Sequence, residues 1–254
     1  MKYAVEDTRM KAIANAVRAK TGKTDTMTVD EIPAEVAAVY DKAIDDMWEM
    51  IQAHGTRTDW RWAFNRMSLK KALFKPKYNI APVGDCAYMF YLTDSGTKWE
   101  PINLIEVEKN CGITFDFSQA TRMESAFQHA PITGINVLDI RKSTRNYGML
   151  WDSKVAQINK LIVDENTTFD SFMFYVWDLE ICNFEGVIAK NGLDLKRCEN
   201  RINHDSLMSV INCLKDYSTD TSGTVWKVTL GATNLAKLTA DEKAIATGKG
   251  WTLV

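Results

Sequence analysis

Apolar positions along this chain change their spacing three times, and each change predicts a different kind of element. Over residues 5–21, Met10, Ile13 and Val17 fall on one face at helical spacing, with Lys11, Arg18 and Lys20 off that face. This pattern predicts a short amphipathic helix, with Gly22 as its stop. A polar connection over residues 25–30 leads to a second, longer helix. Thr28 and Glu31 have the spacing of a capping box, and Pro33 suits a first helical position, so a single turn precedes a helix from about Pro33. Val36, Tyr40, Ala43, Met47 and Ile51 then carry an apolar stripe toward His54, and Gly55 ends it. A stripe on an otherwise charged helix needs a partner. That partner is either the rest of the chain or a second copy, joined in a small bundle or coiled coil. The stripe is shorter than the roughly three to four heptads that mark a coiled coil by pattern alone.

The middle of the chain carries a degenerate repeat. "MESAFQHAPITGINVLDI" (residues 123–140), "YGMLWDSKVAQINKLIV" (147–163) and "DSFMFYVWDLEICNFEGVI" (170–188) share one layout. Phe127, Trp151 and Phe174 take one slot in this reading, spaced 151−127 = 24 and 174−151 = 23, with Leu138, Leu161 and Phe184 following each. Periods of twenty-odd residues predict a leucine-rich-repeat solenoid with the three aromatics in its core. "GINVLDI", "NKLIV" and "LEICNFEGVI" are the strand candidates, and "CGITFDFS" (111–118) alternates Ile113, Phe115 and Phe117 like a further strand. An earlier unit centres on Phe90. An insertion explains the step of 37 residues to Phe127, and "PINLIEVEKN" within it supplies an extra helix.

The flanks of this region read as caps. Residues 56–86 are rich in aromatic and basic side chains, among them Trp60, Trp62, Phe64, Arg66, Lys70 and Phe74. Interleaved basic and aromatic residues also suit single-stranded nucleic acid, but a solenoid end must hide its core from water, and the cap is the preferred reading. Beyond the repeats, residues 204–217 form a helix with Leu207, Val210, Ile211 and Leu214 on one side, capped by Asn203 or Asp205. A strand over 224–231 follows. A helix then runs from a Thr239 cap to a Gly248 stop, and "GWTLV" is a last strand. The expected fold is an α/β repeat: a short leucine-rich-repeat-like solenoid with N-terminal helices and a helix–strand C-terminal cap. Residues 1–55 make a helical attachment or oligomerisation module. Residues 56–254 make the solenoid, divided into an N-terminal cap (56–86), repeats (87–192) and a C-terminal cap (193–254).

Composition narrows the function classes. Lysine and arginine total 31 against 33 acids, a formal net charge of −2, which argues against a nucleic-acid surface. The chain is 46% hydrophobic, enough to build a core. No apolar run approaches the roughly twenty residues of a membrane span, and the first 25 residues lack the apolar stretch of a secretory signal. Five widely spaced cysteines include no C-x-x-C pair. Cys182 and Cys213 sit in apolar patterns as small buried hydrophobes, and free thiols suit assembly in a reducing cytosol. None of His54, His129 and His204 has metal-ligand spacing, and no nucleophile elbow or phosphate loop occurs. Asp45 with Asp46, and Asp116 with Glu124, are the carboxylate pairs a glycosidase would draw on. An enzyme is nonetheless the weakest reading: no catalytic residue, cofactor or metal is expected. Aromatics are the better candidates, because sugar rings stack on aromatic faces while polar neighbours fix the hydroxyls. Trp99, Tyr147, Tyr175 and Trp177 are nominated for ligand contact; the competing reading places Tyr175 and Trp177 in the core beside Phe174.

Three segments carry a family resemblance. They are "KAIANAVRAKTGKTDTMTVDEIPAEVAAV" (residues 11–39), "GTRTDWRWAF" with "FKPKYNIAPVGDCAYMF" and "NCGITFDFSQATRMESAF", and "DSLMSVINCLKDYS" with "TVWKVTLGATNLAKLTADEKAIATGKGWTLV". Together they resemble the BspA-like leucine-rich-repeat proteins of phage and prophage tail or baseplate modules from Gram-positive gut bacteria. The resemblance implies a virion tail protein assembled in the bacterial cytoplasm. Its partners would be other tail proteins, a further copy of itself through the N-terminal helices, and a host-surface receptor. The alternative is a protein–protein interaction module of phage or prophage origin acting on a host protein inside the cell.

Overall fold

The computed structural model describes residues 15, 16, 19, 42, 43, 45, 46, 49, 58–64, 80–92, 101–198 and 201–254. The chain divides into two compact units, Met1–Ala53 and His54–Val254. In the first unit the described residues are helical. Ala43 lies on helix and is exposed, and Lys42 pairs with Asp46 at 2.8 Å, one turn on. Val36, Tyr40, Met47 and Ile51 lie outside the described residues.

The second unit is mixed α/β, with parallel sheets. Its main sheet has the order β2 (Ile102–Asn103), β4 (Ile132–Asp139), β5 (Gln157–Val163) and β6 (Ile181–Gly186), every pair parallel. Two smaller parallel pairs flank it: β1 (Gly84–Asp85) with β3 (Ala120–Arg122), and β7 (Trp226–Val228) with β8 (Trp251–Leu253). Four α-helices occur among the described residues of this unit: α1 (Leu104–Cys111), α2 (His204–Cys213), α3 (Ala232–Ala236) and α4 (Ala240–Gly248).

Register sets the architecture. Ile135 pairs with Ile158 and Leu138 with Leu161, each 23 residues on. The step to β6 is 24 at Ile158–Cys182 and returns to 23 at Leu161–Phe184, across an irregularity in the ladder. The turns on the opposite side keep the same step. Phe127 donates its N–H to Met149, and Leu150 donates its N–H to Phe172. Each donor bonds the residue just before its own counterpart, so Phe127 corresponds to Leu150 and Met173. The same rule places Phe64 and Phe90 in this column, since their N–H groups reach Met89 and Ala126. All five side chains are buried, and Phe64, Phe90 and Phe127 stack at 4.9 and 5.2 Å. Fully burying each is worth about 1.5–3 kcal/mol.

This register corrects the shared slot read from sequence. Trp151 and Phe174 belong one position further along, in the column of Tyr91 and Gln128, and both are half-buried. Aromatic side chains in adjacent columns had been aligned with each other, giving 24 then 23 where the backbone gives 23 and 23. The alternation at Ile113, Phe115 and Phe117 does bury all three, but Phe115 forms only an isolated bridge with Ile80 rather than a strand. Cys213 is half-buried rather than buried, with its thiol 3.4 Å from Phe184 O.

The helices close the ends by specific polar contacts. Asn103 caps α1 by accepting the N–H groups of Ile105 and Glu106, and Gly112 ends it at φ 68°. The C-terminal element order largely follows the sequence reading, with α2 stopping at Cys213, the strand confined to Trp226–Val228, and the short α3 unforeseen. Along β6, α2 lies as a cover. Ser206 Oγ accepts the N–H of Cys182 and Ser209 Oγ that of Phe184, both at 2.9 Å. Two donors that would face the next strand are thereby satisfied by side chains. Thr239 and Glu242 form a full capping box on α4, and His204 at the start of α2 meets Glu242 at 2.9 Å. Among the described residues no helix is long and apolar enough to cross a membrane.

Candidate functional site

The turns opposite the main sheet carry an unusual backbone. Trp62, Tyr88, Ser125, Gly148 and Ser171 have φ between 51° and 64°, and each occupies the same position of its turn. Four residues further on, His129, Asp152 and Tyr175 have φ between 48° and 60°. Left-handed backbone costs a non-glycine residue about 1–2 kcal/mol. Its recurrence turns the next residue inward, with Met89, Ala126, Met149 and Phe172 all buried, and sets side chains from successive turns beside one another.

The result is a strip made of two ring clusters, joined through His129 and Asp152. Trp62 stacks on Tyr88 at 4.4 Å and 6°, and both meet Tyr91 edge-on at 5.7 and 5.5 Å. Tyr91 lies 5.9 Å from the His129 ring. His129 Nδ1 sits 3.0 Å from Leu92 O, so this nitrogen carries the proton, and Nε2 faces Asp152 at 3.7 Å. In the second cluster Trp151 meets Tyr147 at 6.4 Å and Phe174 at 5.5 Å. Phe174 touches Tyr175 at 4.2 Å, and Tyr175 lies 5.6 Å from Trp177. Trp62, Tyr147 and Trp177 are 48–49% exposed, so large apolar faces stay in water along the strip.

Three of the four nominated aromatics thus fall in one surface cluster. Tyr175 and Trp177 are direct neighbours, and Tyr147 joins them through Trp151 and Phe174. The competing placement in the core fails for Trp177, which is half in solvent. Trp99 lies outside the described residues. Trp62, Tyr88, Tyr91 and His129 escaped the sequence reading. Their signal was present in the aligned turns "RWAF" and "AYMF", where an aromatic sits two places before the buried Phe64 and Phe90.

Comparison with protein-family models, with curated proteins and with solved structures returned no match. The chemistry of the strip therefore has to be read from its own residues.

A charged border runs beside the first rings. Arg122 bridges Asp85 at 3.1 Å and Glu124 at 2.7 Å, Arg145 reaches Glu124 at 3.1 Å, and Tyr88 Oη meets Glu124 at 3.3 Å. Partial burial opposes ionisation of Glu124, but the bonds and charges of Arg122 and Arg145 outweigh it and hold the carboxyl below its usual range. A glycosidase acid requires a shift in the opposite direction. Burial raises the Cys86 thiol to about 12, so it stays protonated behind the strip. Among the described residues no cluster of three or more histidine, cysteine or acidic side chains could hold a metal ion.

Proposed function

We propose that this chain is a non-enzymatic structural protein of a phage or prophage tail, at the tail tip or baseplate, and that its aromatic strip recognises a host-surface glycan or protein. In this reading residues 54–254 are a short leucine-rich-repeat-like solenoid, and the N-terminal helices attach it to other tail proteins or to further copies of itself. The supporting observation is the pair of ring clusters, Trp62 to His129 and Tyr147 to Trp177, that leave aromatic faces in water. Solvent-exposed aromatic faces on a rigid stack are suited to binding rather than to bond cleavage.

Pull-down on host cell walls tests the recognition half. Wild-type protein is expected to bind, and a Trp62→Ala/Trp177→Ala double variant to bind at least about tenfold more weakly with an unchanged melting temperature. Equal binding by the two would overturn the assignment of the strip. Specific capture of a cytosolic host protein in place of the wall would favour the intracellular reading. For the attachment half, light scattering at micromolar concentration is expected to give more than one copy per particle. A monomer would remove self-association through Val36, Tyr40, Ala43, Met47 and Ile51.

A further inference from the structure

At one end of the strip the rings surround a cation. Lys196–Cys198 form a single 3₁₀ turn whose buried Cys198 fixes it to the body of the unit. Arg197 projects from this turn, with its guanidinium carbon 5.1 Å from the centre of the Tyr175 ring, 5.7 Å from Trp177 and 5.9 Å from Phe174. Three π faces hold the group in place by cation–π attraction without using its N–H donors. Among the described residues no carboxylate lies within ion-pair distance of Arg197. Arg201, four residues on, is engaged instead, at 3.5 Å from Asp178 and 3.6 Å from Glu180. Arg197 therefore presents an oriented fork of donors with no anion in it among the described residues.

Beside Arg197 lies a cleft of about 180 Å³, lined by Ser171, Phe174, Gly192 and Asp194 among others. Gly192 on its wall has φ +107°, and a Cβ there would press on the Asp170 carboxylate. Asp194 is held by accepting the Lys196 N–H at 2.9 Å, which leaves its second oxygen for another donor. The cleft thus offers a planar cation, a carboxylate acceptor, a hydroxyl and adjoining ring faces.

We propose that this cleft binds a carboxylate-bearing sugar unit of a surface polysaccharide. The sugar carboxylate pairs with Arg197 in bidentate fashion, vicinal hydroxyls donate to Asp194, and the ring packs on Phe174, while Tyr175 and Trp177 hold Arg197. An acidic peptide fits less well, because Asp194 repels any second carboxylate while accepting a hydroxyl. This inference rests on the strip being a recognition surface, and it names the ligand class at one end of it.

Titration calorimetry with an oligosaccharide of alternating glucuronic acid and N-acetylglucosamine tests it, beside the same oligosaccharide after reduction of its carboxyls to alcohols. The acidic form is expected to bind, and the reduced form about tenfold more weakly or worse. Arg197→Gln should erase the preference, while Arg197→Lys should keep part of it. Both are surface changes, and a melting curve confirms the fold. Equal affinity for the two oligosaccharides, or a preference that survives in R197Q, would overturn the carboxylate assignment and leave the strip's role standing. Polyglutamate or a glycerol-phosphate polymer binding more tightly than the acidic oligosaccharide would overturn the sugar assignment. Failure of the strip itself appears separately, as wall binding unaffected by the double tryptophan variant.

Discussion

Single positions in the turns show what the stack demands of its residues. Gly148 occupies the left-handed position that Ser125 and Ser171 fill in the turns on either side, so backbone relief exists at one of the five equivalent sites. Ser125→Gly is expected to raise the unfolding free energy by about 1 kcal/mol, and Gly148→Ala to lower it by a similar amount, read by urea denaturation. Ser153 is a second case. Its buried hydroxyl has no hydrogen-bond partner among the described residues, and its counterpart in the preceding turn, 23 residues earlier, is Ala130. Ser153→Ala should therefore stabilise by about 1 kcal/mol, and a loss of stability would mean the hydroxyl has a partner. Asn146 is satisfied on one side only. It is buried in a column with Cys86, Met123 and Phe169, and its amide nitrogen donates to Ser143 O and Thr168 O at 3.4 and 3.3 Å, tying two turns together, while its Oδ1 has no hydrogen-bond partner among the described residues.

At the scale of elements, α2 is the most exacting fit. Its hydroxyls stand where a further strand would stand, so Ser206→Ala leaves the Cys182 N–H buried without its acceptor. The expected cost is about 1–3 kcal/mol by denaturation, with Ser206→Thr recovering part of it. Much of this level could be read from the sequence. The caps at Asn203 and Thr239, the strands around Ile135, Ile158 and Cys182, and the helix after Pro101 all follow from short-range patterns of apolar spacing and capping side chains. The rest depended on information that spacing does not hold. Trp151 and Leu150 are adjacent and both apolar, and only the backbone register decides which one faces inward. The serines of α2 looked like ordinary helix residues because their acceptor role requires β6 beside them. Likewise Arg197 was one cation in a turn, and the three rings around it come from a segment twenty residues earlier.

Among the described residues of 54–254, ion pairs join both distant segments, as Lys215 joins Glu165 at 2.7 Å, and near neighbours. Asp139, buried in β4, accepts the backbone N–H and the guanidinium of Arg141, with distances from 2.7 to 3.3 Å. Burial opposes its ionisation, yet the Arg141 bonds prevail and hold the carboxyl below its usual range, as the arginines do for Glu124. A depressed folded pKa means the unfolded chain binds protons first on acidification. The stabilisation is full above the unfolded value, near pH 4, and is lost as pH falls through the lower folded values. The melting temperature is expected to hold from pH 7 to about 5 and to drop below about 4. Asp139→Asn should start lower at pH 7 and fall less steeply in the acid range. An unchanged acid limb would remove Asp139 from the account.

The step between turns, 23 residues from Phe127 to Met173 but longer before them, has a consequence for size. Between Phe64 and Phe90 the step is 26, and between Phe90 and Phe127 it is 37, yet the three rings still stack. Extra chain leaves between the turns without disturbing their order. The molecule therefore works as a ruler whose graduations are turns and not residues. Adding one turn lengthens the aromatic track by a single strand spacing, about 4.8 Å, whatever the length of chain that carries it. Under the proposed recognition role, selection for a longer or shorter ligand would act by duplicating or deleting one graduation.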